Sequence, residues 1–62
     1  MKLPIKKSKW RHHSGKIYEV LVISNVSAKK ADYPVTVVYQ DDAGEVWSRP
    51  LALWHDSMKE IV

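Results

Sequence analysis

The chain has 62 residues, no cysteine and no phenylalanine, with ten Lys+Arg against seven Asp+Glu for a net charge of +3. A chain this short makes one small domain that buries only about 60% of its unfolded surface, and without cysteine it has neither disulfides nor thiolate metal sites to reinforce it. Its longest apolar runs, 20–23 and 51–54, fall far short of the roughly 20 residues of a membrane span, and residues 1–7 lack an apolar stretch of signal-peptide length, so a soluble cytoplasmic protein is expected.

In chain order, residues 1–8 read as a flexible basic arm, because Pro4 removes a ladder donor and the lysines repel one another. Residues 9–62 read as a single small β domain. Trp10 to His13 form a first short strand, and Ser14-Gly15 supply its turn, glycine serving where a hairpin demands positive φ. From Lys16 to Asn25 the β-branched and aromatic content predicts a strand apolar on both faces, with Tyr18, Val20 and Val22 on one side and Ile17, Leu21 and Ile23 on the other. Residues 24–34 are a polar connection. Val35 to Gln40 is the clearest strand. Asp41-Asp42-Ala43-Gly44 gives a turn with a left-handed glycine, and Glu45 to Arg49 returns as the partner strand. Pro50 ends that strand and suits the first position of a helix. Leu51, Trp54, Met58 and Ile61 fall on one helical stripe. Residues 51–55 are expected to make one helical turn, and 57–62 either a last helical turn, with Ser57 and Glu60 as a capping box, or a short closing strand. The fold class is mainly β: a small antiparallel SH3-like barrel, or a curled sheet, with a short C-terminal helical turn.

The net charge conceals an asymmetry. Residues 1–31 carry Lys2, Lys6, Lys7, Lys9, Arg11, Lys16, Lys29 and Lys30 against Glu19 alone, a balance of +7; residues 32–62 balance at −4. A basic patch of Lys6, Lys7, Lys9 and Lys16 suits phosphates through counterion release, or an acidic protein surface. The plainer alternative is a solvated tail.

Reaction chemistry finds little support. Adjacent residues of a strand point to opposite faces, so His12 and His13 are not expected to ligate one ion together, and His55 lies far along the chain. No serine sits in a strand-to-helix elbow, and Asp41 and Asp42 have ordinary work in a turn. Neither metal nor cofactor is expected, and the chain is read as a non-enzyme. The aromatics are more suggestive. Trp10, Tyr18, Tyr39, Trp47 and Trp54 all carry a polar handle and suit the rim of a small β domain, although they equally suit a core that lacks phenylalanine. Arg49 beside Trp47 can grip a carboxylate, either an internal one such as Asp56 or Glu60 or a ligand's anion.

Residues 10–54 carry a resemblance. Trp10-Arg11-His12-His13-Ser14-Gly15, then Tyr18-Glu19-Val20, Val37-Val38-Tyr39 and Val46-Trp47-Ser48-Arg49-Pro50-Leu51 resemble, in that order, the motifs of domain-of-unknown-function family 1653, which occurs in short bacterial and phage proteins. His13 and Ser14 stand where that family usually has an aromatic residue and a lysine. The resemblance implies a small β-rich domain and no assigned chemistry. It gathers Arg11, His12, Tyr18, Trp47 and Arg49 around one rim, the candidate binding site. A protein partner is the leading expectation; nucleic acid, or a homodimer joined through the Leu51, Trp54, Met58 and Ile61 stripe, are the alternatives.

Overall fold

Two glycines set the hairpins from which the sheet is built. Gly15 (φ 97°) and Gly44 (φ 85°) both lie in the left-handed region, which other residues enter at a cost. Around them, a computed structural model describes residues 3–30 and 32–61. The strands are β1 (Lys9–His12), β2 (Ile17–Ser24), β3 (Thr36–Gln40), β4 (Val46–Pro50) and β5 (Met58–Glu60), with one helix, α1 (Leu51–Ser57), between β4 and β5. All pairings are antiparallel, in the order β4-β3-β2-β1-β5. Among the described residues the strands make one unclosed sheet rather than a closed barrel, because β4 and β5 are each paired on one side only.

The Gly44 turn forms as its sequence implies. Gly44 N–H donates to Asp41 O at 3.1 Å, while Asp41 Oδ1 accepts from the N–H groups of Ala43 and Glu45. In the other hairpin Gly15 N–H reaches His12 O at 2.8 Å.

The core lies on one sheet face, under α1. Trp10, Val20, Val37, Tyr39, Trp54 and Met58 are buried, with Tyr18, Ile23 and Leu51 packed against them. Trp54 is fully enclosed, and its ring meets Trp10 at 5.5 Å and Tyr39 at 4.9 Å, both edge-on. Such pairs contribute about 0.5–1.5 kcal/mol each beyond area burial. Its indole N–H finds no acceptor among the described residues.

The structure departs from the sequence reading at four points. In β2 the register shifts between Val20 and Val22, so Leu21 is a bulge and Ile23, not Val22, turns to the core. Val22 is exposed instead. The helix runs two turns rather than one and stops at Ser57. Met58 is extended (φ −119°, ψ 139°), its N–H caps Trp54 O, and 58–60 pair with β1, so Ser57 and Glu60 form no capping box. Pro50, extended at φ −56° and ψ 139°, closes β4 and precedes the helix, so the first helical position falls to Leu51.

Finally, the arm expected over 1–8 is tied to the sheet over its second half. Pro4 is buried, Lys7 N–H donates to Val20 O at 2.7 Å, and Val20 N–H donates to Ser8 O at 3.0 Å. Met1 and Lys2 lie outside the described residues, as does Val62 of the expected closing segment. Among the described residues no helix is long and apolar enough to cross a membrane.

Candidate functional site at the rim of the sheet

Strand alternation decides which expected site residues meet. Cross-strand partners share a face, so the pairs Trp10↔Tyr18, Val20↔Tyr39, Tyr39↔Trp47, Val37↔Arg49 and His12↔Met58 put His12, Tyr18, Trp47 and Arg49 on the core side. There they extend the aromatic core outward. The Tyr18 ring lies 5.1 Å from Tyr39 and 6.3 Å from His12. Trp47 stays 47% exposed. Its indole acts on the Asp41 carboxyl, helping to hold it below its ordinary pKa.

Two charged groups define the electrostatics of the rim. Arg49 is half-buried, yet it makes no ion pair among the described residues; the pairing with Asp56 or Glu60 allowed by the sequence does not form. Its charge reaches His12 across the sheet, although β2 and β3 separate their strands in the sheet order. His12 is held below its ordinary pKa by partial desolvation, then by His13 and Arg49. Its Nδ1 accepts the Ser14 N–H at 3.1 Å, which leaves Nε2 to carry the proton of the neutral ring. Asp41 is held below the carboxylate range by the Glu45 N–H, against some desolvation, and then by Trp47, Ala43 and the charge of Lys16. The rim therefore offers a guanidinium without an ion pair among the described residues, an imidazole N–H and two large rings on one face of the sheet.

Residues 8–60 match the model of a family described as a protein of unknown function, DUF1653. The chain belongs to the DUF1653 family. No curated protein and no solved structure matches it.

Not every residue expected at the rim of this DUF1653 chain reaches it. Arg11 pairs with Ile17 and Lys59 and so faces away from the core, being one residue out of phase with His12. The basic patch is drawn from three segments. Lys6 and Lys7 sit in the turn before β1, Lys16 precedes β2, and Lys9 is engaged by Glu19 at 3.5 Å on the open face. The stripe expected to join two copies is used internally, since Trp54 and Met58 are core residues. The histidines also depart from expectation. His13 has left the strand for the turn, so its ring lies 4.0 Å from that of His12 instead of on the far face. His55, brought in by α1, lies 5.6 Å from Trp10 and lines one cavity with His12 and His13. Among the described residues no group of three or more ligating side chains is placed to hold a metal.

The outer backbone of β4 is a feature that side-chain chemistry does not reveal. Asp41 N–H bonds Glu45 O, and Leu51 N–H bonds Val35 O. Between these ends, antiparallel alternation directs the backbone groups of Trp47 and Arg49 to β3 and those of Val46, Ser48 and Pro50 outward. The signal was in the sequence as position parity, readable once the register of the hairpin is known.

Proposed function

We propose that the chain is a non-enzymatic binding module that holds an extended, acidic segment of a protein partner along β4. Trp47 would supply the apolar platform, Arg49 with His12 the anion contact, and Val46 and Ser48 the backbone partners, in the manner of strand addition to a sheet edge. The observation that carries this reading is the half-buried Arg49 without a carboxylate, beside an exposed tryptophan on an open edge. A guanidinium in such a place gains most from a bidentate carboxylate, and Trp and Arg are the residue types that dominate binding surfaces.

The test is affinity capture from a lysate with the native chain, Trp47→Ala and Arg49→Gln, each checked for an unchanged melting temperature. Proteins retained by the native chain and lost by both variants are expected. Recovery of the same proteins by both variants, or of none by the native chain, rejects the reading. Nucleic acid is the second reading, favoured by Lys6, Lys7 and Lys16 being exposed and making no ion pair among the described residues. It requires oligonucleotide binding, read by fluorescence anisotropy, that falls steeply with salt.

A further inference from the structure

A second concave site lies at the opposite edge, where β1, β5 and the end of α1 converge. Its cavity, about 290 Å³, is lined by Arg11, His12, His13, His55, Asp56 and Lys59, which include all three imidazoles of the chain. Two of its cations are forced together by the fold. Arg11 and Lys59 are directly opposed across the β1–β5 ladder, and among the described residues neither makes an ion pair. Like charges so placed destabilise a ladder unless something negative lies between them. The rings of His12 and His13, 4.0 Å apart and tilted by 35°, add donors beside this pair. From the geometry we infer that this cavity is a binding site for a small phosphate-class dianion, a phosphomonoester or inorganic phosphate. Such an ion takes charge-assisted hydrogen bonds from Arg11 and Lys59 and N–H bonds from the imidazoles. The site shares His12 with the rim but is otherwise distinct from it, since Tyr18, Trp47 and Arg49 do not line it.

The site tightens as pH falls. The groups that act on its imidazoles are Arg11 and His12 from β1, His13 from the turn, His55 and Asp56 from α1, Lys59 from β5, and Arg49 acting on His12 from β4. Asp56 is the one acid lining the cavity. Each proton added to an imidazole therefore raises the positive charge set against that single acid. An anion relieves the crowding of His12 by His13 and Arg49.

Sulfate isolates this effect, because it stays dianionic between about pH 5.5 and pH 8. The full chain, titrated by NMR with sulfate at constant ionic strength, should show shifts on all three imidazoles. Binding should be about tenfold tighter near pH 5.5 than near pH 8. Phenyl phosphate should bind at the same resonances, dimethyl phosphate much more weakly, and inorganic phosphate should separate free phosphate from its esters as the preferred ligand. Arg11→Gln and Lys59→Gln, at exposed positions, should each weaken sulfate by about tenfold, and Lys29→Gln should leave it unchanged. Imidazoles that do not respond, an affinity independent of pH, equal binding of the diester, or unaltered affinity in both pocket variants would each overturn the assignment.

Discussion

β5 and β4 are both edges of one sheet, but the fold treats them differently. β5 has three residues, of which Lys59 and Glu60 are charged, and the N–H of Met58 is already bonded to Trp54 O. β4 has five residues, leaves Val46 and Trp47 exposed, and turns the backbone of Val46 and Ser48 to solvent with only Pro50 as a stop. Short length, charge and proline are the usual means of blunting an edge. The difference shows how sealing works in so small a domain. An edge that follows a helix directly can lend its first donor to that helix, whereas an edge made by a hairpin has nothing behind it to cover it.

The most severe way to break the contrast is to loosen α1, which carries the carbonyl that caps Met58 and is anchored in the core by the Trp54 ring. Trp54→Ala should cost about 3–5 kcal/mol, a large share of the about 3–9 kcal/mol expected for a domain of this size. Trp54→Phe should cost much less in denaturant melts, because it also removes the unsatisfied indole N–H. Next comes a paired test of β4. Trp47→Pro deletes a bond to β3 and should destabilise by about 3 kcal/mol. Ser48→Pro deletes only an outward N–H, so its melting temperature should stay far closer to the native value while capture of a strand-adding partner is lost. Equal destabilisation by the two would show that the assigned parity is wrong.

Smaller effects sharpen the comparison at the hairpins. Gly44→Ala beside β4 and Gly15→Ala beside β1 should each cost about 1–2 kcal/mol through positive φ alone, since an added Cβ meets nothing within 4 Å at either site. Val46→Lys should change stability by less than about 0.5 kcal/mol while reducing self-association at high concentration, measured by sedimentation. The pH dependence closes the series. Asp41 and His12 both have lowered pKa values in the folded chain. The unfolded state therefore binds more protons as pH falls, and stability is lost in that direction. The His12 contribution is complete above about pH 6.5 and fades below it; that of Asp41 fades as pH drops through the carboxylate range. Asp41→Asn should flatten the acid limb of the melting profile.

The 36–50 hairpin was legible in the sequence because its turn chemistry and its alternation agree: Asp41 and Gly44 form the turn, and Val37 and Tyr39 go inward as their spacing implies. The β2 bulge was not, since Leu21, Val22 and Ile23 are all apolar and only pairing with β3 shows which one is extra. β5 was legible only as one of two alternatives, the short closing strand, for a related reason. Met58 satisfies a helical stripe and a strand equally well, and pairing with β1, some fifty residues away, decides between them. Arg11 went astray by one residue of strand phase. The histidine cavity is assembled from two distant segments, and no local spacing announces it.

The three indoles of this chain occupy three separate surroundings: Trp54 is sealed at 0% exposure, Trp10 is nearly sealed at 5%, and Trp47 is half in water. The molecule thus carries its own optical instrument. Blue-shifted emission reports the integrity of the core, while red-shifted emission that iodide can quench comes from the β4 edge alone. A partner that covers β4 should silence that second signal without touching the first, so binding and unfolding can be told apart in one cuvette without a label.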